Sequence, residues 1–132
     1  AMAASRVGEL VTAAATAAAR GGALAADFGE LERGMLLLLG ELHAAYSGAA
    51  FQAEVRRVHA QAGGNAARLL VTLGAVAGDV QDPVFARLGL PRGPRGVALM
   101  KVAAKAVADK SPQVRQLAGD LRELLGLERE EA

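Results

Sequence analysis

The feature that most constrains this chain is a run of large apolar side chains at steps of three and four residues. Phe28, Leu31, Met35, Leu38, Leu42 and Tyr46 recur at that spacing, with Leu24 ahead of them in register. Such a repeat lines one face of an α-helix, whereas a strand would need a period of two. Asp27, Glu30, Arg33 and Glu41 fall on the remaining faces. The spacing predicts a helix over 24–46. Within it, Met35 to Leu39 is apolar on nearly every side, so this stretch is either the centre of a bundle or an interface. Gly29, Gly34 and Gly40 each cost about 1 kcal/mol relative to alanine in a helix. They mark either close backbone approach or a weakened helix.

The same period returns along the chain, and the alternating runs of a half-buried strand do not. A first helix is predicted over 3–20, with Val7, Leu10, Val11 and Ala14 on one face and Gly21-Gly22 ending it. Ser47 reads as the N-cap of a third helix from position 49 that turns Phe51, Val55 and Val58 inward. Gly63-Gly64-Asn65 reads as a kink or break before a stretch over 66–80, with Leu69, Leu70, Leu73, Val76 and Val80 inward. Asp82-Pro83 has the form of a new helix start, proline being tolerated at the first helical position. Residues 90–96 make the one clear loop, 97–109 is helical again, and Ser111-Pro112 caps a last helix reaching about position 127. The segment 127–132 is expected to fray, and Ala1-Met2 reads as one extra residue before an initiator methionine. Short turns between helices favour antiparallel neighbours. The expectation is a single all-α domain over 1–132: an up-and-down bundle of four main helices, one or two of them broken or kinked, with a short extra helix near 83–88.

Composition narrows the function. There is no Cys and no Trp, one Tyr and two His (His43 and His59), while hydrophobic residues reach 52% with alanine the largest share. A reactive centre needs several polar groups converging on one point. Neither Glu-x-x-His nor His-Glu-x-x-His occurs, and Glu54 sits five residues before His59, well apart around a helix. Ser5, Ser47 and Ser111 lack the Gly-x-Ser-x-Gly setting of a nucleophile. The reading is therefore a protein that is not an enzyme, with no catalytic residues, no cofactor and no metal site. A net charge of +1 argues against nucleic acid as a partner. The N-terminus lacks the pattern of a signal peptide. The charge-free apolar runs 10–19 and 69–78 fall well short of the roughly 20 residues that span a bilayer, so no transmembrane segment is expected.

Two features could carry an interaction. The segment 92–115 holds Arg92, Arg95, Lys101, Lys105, Lys110 and Arg115 against Asp109 alone, and it contains every lysine of the chain. Arg92, Arg95, Lys101 and Lys105 are its candidate anion-binding residues. Their loop precedes a helix start, where free N–H groups and the helix dipole favour anions such as phosphate or an anionic lipid headgroup. The segment lacks the Gly-Lys-Ser/Thr ending of a phosphate loop and the aromatic platforms that stack bases. The second feature is the apolar excess of Met35, Leu36, Leu37 and Leu39, together with that of 69–76, which reads as core or as a groove for a partner helix. The alanine-rich 12–19 reads as close packing, or as a segment able to lie on a membrane once oligomerised. The leading expectation is a cytoplasmic adaptor-like protein–protein interaction or self-association domain whose partner is a second copy or another protein's helix. The alternative is an anionic-membrane or phosphate-binding signalling domain, peripheral at a membrane, using 92–115.

The layout of 2–80 bears on that alternative. A short alanine-rich first helix is followed by Asp27-Phe28 opening a leucine-spaced second helix, and then by two more. This order resembles the N-terminal helical bundles of fungal and plant cell-death receptors, the HeLo-type group. The resemblance implies self-assembly and action at membranes. The chain departs from that group in lacking bulky apolar residues at its extreme N-terminus, and no functional residue is carried over.

Overall fold

Asp27 opens the helix that the leucine stripe demands: its carboxylate accepts from the N–H groups of Gly29 and Glu30 at 2.7 and 3.3 Å. The computed structural model describes residues 2–22 and 27–128, so the expected position of Leu24 lies outside the described residues. Six α-helices are present and no strand occurs among the described residues. They are α1 (Ala4–Ala19), α2 (Phe28–Tyr46), α3 (Ala49–Ala62), α4 (Ala66–Leu88), α5 (Pro94–Ala108) and α6 (Pro112–Leu124). The protein is thus an all-α helical bundle.

The core gathers around α2, which packs against each of the other helices. Leu31, Met35, Leu38, Leu39 and Leu42 are all buried there, with Val7, Leu10 and Val11 from α1, Phe85 and Leu88 from α4, and Val107 from α5. Of the two readings left open for Met35 to Leu39, the centre of the bundle is the one found for Met35 and Leu39. Gly34 marks a close approach, since a Cβ there would sit 3.3 Å from the Leu10 side chain. Gly40 has nothing within 4 Å and simply weakens the helix. A tighter contact joins α1 to α4. A Cβ on Gly8 would overlap the carbonyl group of Gly89, whose φ of +81° forms the left-handed cap of α4.

Several boundaries differ from expectation, each for a physical reason. The short extra helix near 83–88 is the last part of α4, which runs unbroken through Pro83. Proline inside a helix removes one N–H and crowds the preceding turn, at a cost of about 3 kcal/mol. Continuity nevertheless keeps Val84, Phe85 and Leu88 on the buried stripe begun by Leu73 and Ala77. Asp82 does not cap a helix; its carboxylate accepts from Gly93 N–H at 2.9 Å and fixes the 90–93 loop. Ser47 ends α2 instead of starting α3, its hydroxyl donating to the His43 carbonyl at 2.7 Å. Gly63, at φ +56°, ends α3, and Asn65 caps α4 by accepting from Arg68 N–H. The basic helix begins three residues early, with Pro94 in its first turn. The last helix stops at Leu124, and Leu127 still packs on the core where fraying was expected.

Far along the chain, α3 fastens the ends of two other helices. The Gln52 side-chain amide donates both to the Tyr46 carbonyl at 2.6 Å and to the Leu124 carbonyl at 2.9 Å. These are last-turn carbonyls of α2 and α6, which a helix cannot satisfy itself. His59 Nε2 lies 2.9 Å from the Leu125 carbonyl.

Candidate functional site

The interior offers little that could react. Its polar side chains are Gln81 and Ser111, apart from the hydroxyl of Tyr46. Ser111 caps α6 by accepting from Val114 N–H. Gln81 Nε2 donates to the Tyr46 hydroxyl at 2.7 Å, and Tyr46 also stacks on Phe51 with ring centroids 5.1 Å apart. Burial pushes the Tyr46 hydroxyl above its ordinary pKa, and the bond from Gln81 opposes that shift in part. This is a satisfied structural pair. Among the described residues no three of His, Asp and Glu gather closely enough to hold a metal ion.

The acidic side chains on the surface are largely spoken for. Arg6 bonds Glu30 at 2.7 Å and Glu9 at 3.1 Å, and Arg57 bonds Glu54 at 2.6 Å. Arg87 pairs with Glu41. The hydrogen bond from Arg6 holds the Glu30 carboxyl below its usual value, against a smaller opposing effect of desolvation. Arg57 does the same for Glu54. These pairs tie down the faces of α1, α2, α3 and α4.

The cations of the basic segment behave differently. Arg92, Arg95, Lys101 and Lys105 are all exposed, and none has an acidic partner among the described residues. Helical spacing on α5 puts Arg95, Lys101 and Lys105 on the side away from the buried stripe of Met100, Ala103, Ala104 and Val107. Val102, 40% exposed, protrudes among them. Beside it lies an open depression of about 330 Å³ between α1 and α5, floored by Ala15, Ala19, Ala98 and Leu99 and edged by Arg20 and Arg95. Three of the four candidate anion-binding residues thus share one helix face, with Arg92 in the loop before it. The sequence reading missed Arg20 and Val102, because the proximity of α1 to α5 is a tertiary fact.

The second candidate surface is only partly where the sequence placed it. Met35 and Leu39 are buried and contribute nothing to the outside. Leu36 is half-buried and Leu37 is 38% exposed, a single apolar side chain. The larger apolar exposure is on the first half of α4. Leu70 is 60% and Val71 76% exposed, whereas Leu70 was expected to point inward. The cause is the reach of α4. Its buried stripe runs from Leu88 and Phe85 back through Ala77 to Leu73, but one turn further towards the start of the helix Leu70 and Ala66, on the same face, are exposed. Gly74 and Gly78 lie on that stretch with open space where a Cβ would be. By length and composition α4 is also apolar enough to cross a membrane, yet only 28% of its most apolar 18-residue window is buried. The core helix of a soluble protein passes the same test.

No protein-family model matches this sequence, and comparison with curated proteins and with solved structures returns no significant match.

Proposed function

We propose that the protein is a non-catalytic interaction domain, an up-and-down array of main helices that docks an apolar helix on the exposed face of α4. The observation that carries this reading is the pair Leu70 and Val71, 60% and 76% exposed, beside the open positions Gly74 and Gly78. Exposed apolar side chains next to a hollow are what a partner helix fills, since small residues let two backbones approach closely. Light scattering on the whole chain, together with titration of a labelled amphipathic Leu/Ala helical peptide, tests it. The native protein is expected to self-associate or to bind the peptide. Val71→Glu is expected to do neither while keeping its helical circular dichroism. A native chain that stays monomeric at high concentration and ignores the peptide would overturn the reading.

A second reading is favoured by the unpartnered cations of α5 and of the loop before it. Arg92, Arg95, Lys101 and Lys105, with Arg20 across the depression and Val102 protruding, would suit an anionic membrane surface at which the domain is peripheral. Each basic side chain near such a surface contributes about 1 kcal/mol. Co-sedimentation with vesicles containing or lacking phosphatidylserine, comparing the native chain with R95E/K101E/K105E, decides it. Equal binding to both vesicle types, or to neither, removes the electrostatic reading.

A further inference from the structure

We propose that the occupant of the α4 face is a second copy of this chain, its own α4 lying antiparallel across the first about a twofold axis near Gly74. The inference rests on the reading of that face as a docking surface and adds the identity and direction of what docks. The uncovered strip of α4 runs through Ala67, Val71, Gly74 and Ala75 to the half-buried Gly78, at steps of three and four residues, with Leu70 on its edge. It continues the stripe that Ala77, Gln81 and Phe85 bury in the core. A closed twofold dimer must be self-complementary: where one residue meets a second on the copy, the second meets the first in turn. This strip meets that requirement in shape. With the axis beside Gly74, the exposed Val71 of one chain lies level with position 76 of the other, between Gly74 and Gly78, where no Cβ stands in the way.

The charges fix the direction. Arg68 and Asp79 are both exposed, and neither side chain has a partner among the described residues. They are eleven residues apart, about three helical turns, so they project from the same flank of α4. Their midpoint falls beside Gly74. An axis there, perpendicular to the helix, carries each flank onto the same side of the dimer. Arg68 of one chain then meets Asp79 of the other, twice by symmetry. A parallel pair about an axis along the helices would instead set Arg68 level with Arg68 and Asp79 level with Asp79, which wastes both attractions. Val71 would then oppose Val71, leaving the glycine hollows unfilled.

The test uses the full chain and four samples in sedimentation equilibrium: the native chain, Arg68→Glu, Asp79→Lys, and an equimolar mixture of these two variants. The native chain is expected to dimerise. Each variant alone faces like charges at both symmetric contacts and is expected to weaken dimerisation by about tenfold. The mixture restores both opposite-charge contacts and is expected to return to the native constant, with mixed dimers predominating. Arg68 and Asp79 are exposed, so neither change threatens the fold, and circular dichroism checks this. A dimer that loses its stability with Val71→Glu but gains nothing in the mixture overturns the antiparallel arrangement and leaves the docking face standing. A monomeric native chain that still binds the helical peptide overturns the second-copy inference alone. A monomeric chain that binds no peptide overturns both.

Discussion

Gly8→Ala tests whether α1 sits at the closest spacing that two backbones permit. The added Cβ would overlap the Gly89 carbonyl and come within 2.8 Å of the Leu88 carbonyl oxygen. Ordinary contacts of this kind begin near 3.4 Å, and the obstruction is backbone, which has no rotamer to change. Gly89 cannot swing aside either, because Leu90 N–H is bound to the Phe85 carbonyl at 2.8 Å and closes the cap. The helix α1 must therefore move away by about 1 Å, loosening Val7, Leu10 and Val11 from a densely packed core. Alanine gains about 1 kcal/mol of helix propensity over glycine. Forced overpacking costs about 1–3 kcal/mol, and more where backbone must yield. The net expectation is a loss of about 2 kcal/mol. Gly40→Ala supplies the control, because it makes the same chemical change where nothing lies within 4 Å. It should stabilise by about 0.5–1 kcal/mol. Urea unfolding followed by circular dichroism at 222 nm measures both, and the two midpoints should move in opposite directions. If Gly8→Ala is as stable as the native chain, the close α1–α4 contact is not what holds α1.

Tyr46→Phe leaves the Gln81 amide without its acceptor and should cost about 1–3 kcal/mol by urea unfolding, with Y46F/Q81L recovering part of the loss. The same tyrosine predicts an alkaline weakness. Its pKa is raised in the fold, so its contribution is fully present below the ordinary value near pH 10 and is lost as pH rises through the folded value. Tyr46→Phe should flatten that limb of the stability–pH curve. Glu30 works in the opposite sense: its pKa is lowered, so its contribution is present above the ordinary carboxylate value and lost as pH falls. Glu30→Gln should make the acid limb shallower. Gln52→Glu sets a carboxylate against the carbonyls of Tyr46 and Leu124, so at pH 7 it should destabilise more than Gln52→Ala, with the gap closing on acidification. Pro83→Ala restores the missing N–H at an exposed helical position and should raise stability by about 1–3 kcal/mol, seen as a higher melting temperature.

The sequence made the helices legible and left their ends and neighbours obscure. The stripe from Leu31 to Tyr46 predicts α2 because a three-and-four step has one geometric solution, and that helix is where the core forms. Val7, Leu10 and Val11 on α1, and Val114 and Leu121 on α6, were readable for the same reason. Pro83 misled because its local preference for a helix start was overruled by tertiary burial of Val84, Phe85 and Leu88. Ser47 misled because a hydroxyl can bond backward to a helix's last carbonyls as readily as forward to the first N–H groups. The basic cluster was visible as composition, but its sharing of a depression with Arg20 was not. Leu70 looked like core because periodicity tells which residues share a face without telling where along the helix the cover ends.

The double bond made by Gln52 has a consequence for how this chain acquires its shape. Its two acceptors lie six and 72 residues away. The nearer can be met as soon as α3 forms, while the farther must wait for nearly the whole polypeptide. Bringing such distant segments together requires closing a large loop first, which slows folding beyond what helices alone would need. A nascent chain halted before Leu124 would hold α3 beside α2 with a donor still unanswered, and the arrival of the final helix would lock the assembly shut.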